Sequence, residues 1–352
     1  MDGRPTRIVE VDTLRDLMER LLRVAGCDEE NAKIVASVFL EADLKGIGLQ
    51  GFDHMPSMLA NLRTGRTNPI GKPRIVDEGD AFAVVDGDLG PGQVAGIFAA
   101  DLVAAKAKAA GSAVVGVKNS SDMFMIGYYG ERIARAGVVG LVFSDAPPLV
   151  HPFGGIERMM GTNPFSIGIP TEDERPFVLD IATSALSFSR IRQAAYHGED
   201  VAEGMGVGPD GKPTREAAAI AKGAIAPLAG HKGFGLSLCV ALLSGPLVGA
   251  ATGPAHRAWH GDAPSAPSKG HLFIAIDPAI FGAAAAFRAA ANAYLQEVKD
   301  SKKAPGVDEI RIPGQTGQLV RERSLREGVT MYEAVWQKMK TVAADFGVEM
   351  PD

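Results

Sequence analysis

Apolar residues recur at intervals of three and four through the first part of the chain, and from Ile75 onward they gather instead into short runs punctuated by Gly, Asn and Asp. The first pattern predicts helices at 14–24, 31–45 and 55–63, the last leaving through the polar stretch Arg-Thr-Gly-Arg-Thr-Asn-Pro, a turn composition. The second predicts strands at 81–87, 112–118 and 139–145, with helices at 94–110 and 126–136 between and after them, which is the signature of an α/β region. An Ala- and Gly-rich segment at 281–299 predicts another packed helix, and 331–346 a last one that folds back on the N-terminal helices. The expected organisation is an N-terminal helical part, 1–75, joined by 320–352, with the α/β region 76–319 inserted between them.

Two blocks carry candidate chemistry. From His151 to Ser184 the chain packs glycine turns at Gly154, Gly155 and Gly161, a Thr162-Asn163-Pro164 corner, and a short apolar strand running into Asp180 and the small residues Ala182, Thr183 and Ser184. Glycines let main chain approach a flat or phosphorylated ligand closely, so the block reads as a ligand cradle, against the plainer reading of an ordinary strand-turn-strand. From Gly230 to Ala250, a lysine, Lys232, stands between glycines just before an apolar helix-forming run. Free amides at a helix start favour an anion there, and the alternative is a solvated loop lysine. The GxG-like run at 204–211 follows no apolar strand and opens no helix, so it reads as a turn and not as a dinucleotide fingerprint.

Composition narrows the classes. With 352 residues, 46% hydrophobic and 22% charged, the chain builds sizeable cores and is not disordered. Its net charge of -6, with basic residues scattered among acidic ones, gives no footprint for nucleic acid or an anionic membrane. The two cysteines, Cys27 and Cys239, suggest neither a disulfide framework nor a metal site, and a reduced cytoplasm suffices. The start alternates charged and apolar residues and is not a signal peptide. Residues 236–255 lack charge over the length of a membrane span, but Gly245-Pro246 and Gly253-Pro254 interrupt them, which predicts a buried core helix ending at Ser244.

Taken in order, EADLKGIGLQG near Glu41, VVDGDLGPGQVAG from Val84, VKNSSDMFMIGYYGERIARAGVVGLVFSDAPP from Val117, the two blocks above and HLFIAIDPAIFG from His271 resemble the type-2 malate/L-lactate dehydrogenase family over nearly the whole chain. The family includes ureidoglycolate and sulfolactate dehydrogenases and cyclic-imine-2-carboxylate reductases. The resemblance implies an NAD- or NADP-dependent oxidoreductase acting on a small molecule. It implies an atypical, non-classical Rossmann α/β fold with a mixed sheet, an N- plus C-terminal helical domain, and a homodimer whose active site lies between domains. It also implies cofactor contacts from Ser144, from Asp180, Ile181, Ala182, Thr183 and Ser184, from His231 and Lys232, and from the turn Pro313-Gly314-Gln315-Thr316.

The chain departs from the family where the chemistry sits. Members usually read Ser-His-Gly-Val-x-Arg where this chain reads Leu49-Gln50-Gly51-Phe52-Asp53-His54, so Gln50 takes the histidine position and His54 the arginine position. Members usually read Asn-His-Phe-Gly where this chain has Ser121-Asp122-Met123-Phe124, so Asp122 takes the second histidine position. Hydride arriving at a carbonyl builds charge on oxygen that a proton or a strong hydrogen bond must meet. Gln50 supplies only the hydrogen bond. Asp122 as donor needs its pKa raised by about three pH units, which burial does and a neighbouring lysine opposes. His54, with a reference pKa near ~6.5, is better poised, with Asp122 as its carboxylate partner. Loss of the motif arginine removes a bidentate clamp for a substrate carboxylate, so the expected substrate is neither malate nor lactate but one that is neutral or bears an amine. Two other classes stay open: a lyase or hydratase using His54 and Asp122, and a catalytically silent cofactor-binding protein.

Overall fold

The computed structural model describes residues 4–173, 175–256 and 268–351. Strand β1 (Thr6–Val9) leads into helices α1 (Val11–Val24), α2 (Glu29–Leu44) and α3 (Met55–Arg63). The Glu10 side chain caps α1 by accepting from Thr13 N at 2.7 Å, and Asp28 caps α2 by accepting from Asn31 N at 2.8 Å. Leu14, Leu17, Met18 and Leu21 of α1, at helical spacing, are buried against Val35 and Phe39 of α2.

The chain then enters β2 (Arg74–Gly79), β3 (Phe82–Asp86), α4 (Gly92–Ala110), β4 (Ser112–Ser120), α5 (Gly127–Arg135) and β5 (Val139–Ser144). It continues through β6 (Phe165–Ile169), β7 (Phe177–Ile181), α6 (Phe188–Tyr196), β8 (Gly206–Val207), α7 (Ala217–Lys222), β9 (Ala224–Ile225), α8 (His231–Ser244) and β10 (Lys269–Ile276). Last come α9 (Ala284–Asp300), α10 (Gln315–Glu327), β11 (Val329–Tyr332) and α11 (Glu333–Ala344).

Seven strands form one sheet in the order β2-β3-β4-β10-β5-β6-β7, with β3 and β4 parallel and every other neighbouring pair antiparallel. The fold is therefore α/β with a mixed sheet. Ala-rich α4 lies close on it, Ala99, Ala100 and Val103 meeting Val115, Val117 and Phe273. Helix α5 comes closer still, since a Cβ on Gly168 of β6 would stand 2.0 Å from the Gly130 carbonyl oxygen.

The tail returns to the beginning. Strand β11 pairs antiparallel with β1, and Trp336 and Met339 of α11 are buried in the cluster built by α1 and α2. A third cluster joins Val150 and Met160 to Ile191, Ile220 and Ile225.

Three expectations need correction. Helix α8 ends at Ser244 but is not a buried core helix: Ser237, Val240 and Ala241 face inward while Leu236, Leu238 and Leu242 are exposed. The stretch 231–248 is long and apolar enough to cross a membrane by length and composition alone, a property that core helices of soluble proteins share. Helix α9, expected to be packed, buries none of its residues, because its apolar positions are mostly alanine and Tyr294 points outward. The segment at 204–211 is only partly a turn, since Gly206 and Val207 form β8 and pair with β9.

Candidate active site

Strand directions bring the predicted residues to one end of the sheet. Parallel β3 and β4 finish there at Asp86 and Ser120, β10 starts there with Lys269 opposite Ser120, and β5 finishes there with Ser144 opposite His271. Phe165 at the start of β6 pairs with Phe143 on one side and with Ile181 at the end of β7 on the other. Asp122, Lys269, His271, Ser144 and the Asp180–Ser184 run thus share one rim, where β3, β4, β5 and β7 present their carboxyl ends, the ends at which open α/β sheets receive ligands.

At the centre of that rim is a charged pair that sequence reasoning missed. Lys269 Nζ donates to Asp122 Oδ1, with the lysine side chain 1% exposed and the aspartate 26%. Burial pushes the Asp122 carboxyl up, but the Lys269 ammonium outweighs it and holds the group below the ordinary carboxylate value, with smaller help from His256 and His271. Asp122 is an anion and cannot serve as the proton donor. The signal for its partner was Asp122 itself, since a carboxylate placed before an apolar stretch calls for a cation.

His271 is fully buried. Its Nε2 is 3.1 Å from the Ser121 carbonyl oxygen, which only accepts, so Nε2 carries the proton and Nδ1 accepts from the Ser144 hydroxyl at 3.0 Å. Burial, reinforced by Lys269, pushes its pKa down to about 3, so the ring is neutral. Ser144, expected at the cofactor, is tied by this bond to the Ser121-Asp122 segment.

Gln50 and His54 close two successive turns, Gly48–Gln50 and Phe52–His54, between α2 and α3. Asp43 of α2 pins them by accepting from Phe52 N at 2.8 Å, and a Cβ on Gly51 would stand 2.5 Å from the Asp43 carboxyl. Burial pushes Asp43 up to about 8, against the Phe52 hydrogen bond. Gln50 Oε1 and His54 Nδ1 are buried polar atoms with no hydrogen-bond partner among the described residues.

Burial lowers the His54 pKa, and Arg192 works the same way, against the raising influence of Asp53, Asp122 and the Leu49 backbone. The ring is therefore a neutral proton acceptor rather than the poised acid expected from its reference pKa. Asp122 lies near enough to influence His54, but its ionic partner is Lys269, a correction to the expected His54–Asp122 pairing.

The predicted cofactor residues fall into two groups along the rim. Thr183 Oγ1 donates to the Asn163 carbonyl at 3.0 Å, and the Thr183 carbonyl accepts from Leu228 N at 2.9 Å, which ties Ile181, Ala182, Thr183 and Ser184 to the turn before α8. His231 and Lys232 begin α8, both exposed, after Gly230 at φ 64°. On the other side, Asp180 Oδ2 accepts from Gly127 N at 2.8 Å, and the protein packed around its carboxyl lifts it to about 6, although the residue as a whole is exposed to solvent. Gly314 at φ 86° opens α10, and a Cβ on it would stand 3.1 Å from the Val178 carbonyl oxygen of β7. Thr316 is exposed, whereas Gln315 is engaged locally, donating to Glu309 at 2.7 Å.

The cradle differs from expectation in one respect. A Cβ on Gly161 would stand 2.2 Å from the Ala146 carbonyl oxygen, so that glycine serves protein packing; Gly154 alone of the three has positive φ, at 85°, with open space around it. Asn163, at φ 32° and fully buried, locks the corner by accepting from Ala146 N and donating to Ser237. An exposed lysine beside the amides of a helix start, next to small residues at strand ends, fits a dinucleotide. Among the described residues no cluster of metal-ligand type occurs.

Comparison with known proteins places this rim in context. A family model described as malate/L-lactate dehydrogenase matches residues 9–340. The chain is 35% identical to a malate dehydrogenase of Pyrococcus horikoshii over 97% of its own length and 96% of the relative's. It is 32% identical to a Delta(1)-pyrroline-2-carboxylate reductase of Ancylobacter novellus, over 91% of this chain and 93% of that one. The crystal structure of malate dehydrogenase from Entamoeba histolytica superposes with a TM-score of 0.93 at 28% identity, covering 99% of this chain and 100% of that chain.

Proposed function

The chain belongs to the malate/L-lactate dehydrogenase family and is a dehydrogenase/reductase; from that premise we propose that it moves hydride between a nicotinamide dinucleotide and a C=O/CH–OH or C=N/CH–NH group of a small molecule other than malate or lactate. The observation that carries the reading is a neutral His54 with an unbonded, buried Nδ1 beside an ionised Asp122 at the strand ends. Lys232 and the first amides of α8 would hold the pyrophosphate, and Ser144, Ala182, Thr183, Gly314 and Thr316 would line the remainder. When bound, the nicotinamide supplies or accepts the hydride.

In the oxidative direction His54 Nδ1 takes the proton leaving the hydroxyl or amine, while Gln50 fixes the same heteroatom through its amide. In the reductive direction the neutral ring must first gain a proton, so reduction slows as pH rises above its lowered pKa. NAD(H) is the first choice of cofactor and NADP(H) the second.

Calorimetry with each reduced dinucleotide, followed by substrate-dependent loss of nicotinamide absorbance, tests the reading. Turnover without nicotinamide would favour a lyase or hydratase, and binding without any turnover a silent protein. We also propose a homodimer: Leu242 and Leu236 of α8, 59% and 44% exposed, and Phe281 before α9, 84% exposed, leave apolar surface for a second copy to cover. Sedimentation showing a monomer at micromolar concentration would remove that part.

A further inference from the structure

A lysine ammonium buried to 1% exposure has been withdrawn from water to pair directly with the Asp122 carboxylate, with the buried Asp145 also within its electrostatic reach, and such pairs seldom add stability over apolar residues of the same volume. Its placement is specific. Lys269 is the first residue of β10, and the register between β10 and β4 shifts between Lys269 and His271, which brings the ammonium beside Asp122 just past the end of β4. The next residue but one, His271, is fixed on Ser121 O and Ser144 Oγ, so the strand start is held on both sides. Only Oδ1 of Asp122 is engaged by the lysine, and among the described residues nothing bonds to Oδ2. The aspartate keeps 26% of its side chain accessible and lies within electrostatic reach of His54, whose Nδ1 is unbonded.

We propose that Lys269 is a positioning residue that keeps Asp122 ionised with Oδ2 free, so that the site selects substrates presenting a hydrogen-bond donor, best a protonated amine or iminium N–H, beside the reacting carbon. The proposal rests on the oxidoreductase reading and narrows it. A carboxylate anion attracts a donor by a charge-assisted hydrogen bond and repels an acceptor oxygen, which separates an amine or imine from its oxygen isostere at one atom. Lys269 does not itself reach substrate. It acts through Asp122, and without it the effect of burial would push the carboxyl up and favour a neutral acid over an anion.

The test compares L-proline, whose ring nitrogen is a cationic donor, with tetrahydrofuran-2-carboxylate, whose ring oxygen only accepts, by calorimetry on full-length protein saturated with reduced dinucleotide. Proline should bind at least about tenfold tighter at pH 7. In Asp122→Asn the preference should shrink to about twofold, and in Lys269→Arg it should persist. In Lys269→Met it should become pH-dependent, present at pH 8 and gone at pH 5. Where Lys269→Met does not fold, the double variant Lys269→Met/Asp122→Asn, which removes both charges of the ion pair together, should fold and bind the two ligands alike at every pH. Equal binding of the two ligands by the wild-type protein, binding of neither, a preference for proline in the double variant, or a pH-independent preference in Lys269→Met would overturn the proposal. Failure of the wild-type protein to bind either dinucleotide would be seen in the first titration, and would sink the oxidoreductase reading and this inference together.

Discussion

The Phe124 ring stands edge-on to the His54 imidazole, centroids 5.1 Å apart, and edge-on again to Phe39 at 4.8 Å. Phe124 does this from a left-handed backbone, φ 61°, that a non-glycine residue adopts at an energetic penalty. The strain holds an aromatic wall against the imidazole and fixes the ring that faces the reacting group.

That arrangement predicts an ordered pair of variants. Phe124→Ala loses the packing and keeps the strain, and should destabilise the fold by about 3 kcal/mol. Phe124→Gly loses the same packing but relieves the left-handed strain, and should be milder by about 1 kcal/mol. Urea denaturation of both proteins checks the order; Ala more stable than Gly at this position would contradict the backbone argument.

Two buried groups set opposite pH dependences. Asp43 has its carboxyl raised to about 8 from an ordinary 3.8, so the stability it brings is complete below about pH 4 and is lost as pH rises through 8. His271 has its imidazole depressed to about 3 from 6.5, so its contribution is complete above about pH 6.5 and is lost as pH falls toward 3. Asp43→Asn keeps an acceptor for Phe52 N and removes the charge. It should therefore match wild type near pH 4 and exceed it by a few kcal/mol at pH 8.5. Melting temperatures across pH 4–9 decide this, and parallel curves for the two proteins would show that Asp43 does not titrate there.

Helix α3 could be read from spacing alone to its observed bounds, Met55–Arg63, because buried Met55, Met58, Leu59 and Leu62 repeat at helical intervals before a Gly-containing turn. The strands around β4 and β5 were legible for the same reason, as short β-branched runs between glycines. The exposed faces of α8 and α9 were not, since an apolar composition does not say whether a helix meets its own core or another surface. At the site, Gln50, His54 and Asp122 were visible as departures from a family pattern. Lys269 was not, because a single lysine before a strand resembles any surface lysine until strand order places it beside Asp122. Nor could the local sequence show that burial would lower His54, an effect of the helices packed around it.

Glu131 joins three helices distant in sequence. Its carboxylate takes Lys45 at the end of α2, Arg135 of α5 at 2.7 Å and Gln318 of α10 at 3.1 Å, while the lysine and glutamate side chains are 10% and 8% exposed. Removing one member of a buried pair strands the other charge, which costs about 3–5 kcal/mol. Here Glu41 remains 3.2 Å from Lys45, so Glu131→Gln should fall at the low end, about 3 kcal/mol. Chemical denaturation measures it, and a change under ~1 kcal/mol would place the network among surface ion pairs of little weight.

Lys232 offers the cleanest separation of binding from folding. It is the second residue of α8, exposed, and makes no ion pair among the described residues, so its side chain contributes little to the fold. If it holds the pyrophosphate, Lys232→Ala should leave the melting temperature unchanged and weaken the reduced dinucleotide about tenfold, or ~1.4 kcal/mol. ADP-ribose, which has the pyrophosphate but no nicotinamide, should lose the same factor. Added salt should narrow the gap between wild type and variant, because an exposed charge is screened. Unchanged affinity for both ligands would move the phosphate site away from α8, to the start of α10 at Gly314 and Thr316, where Thr316→Ala is the next variant to titrate.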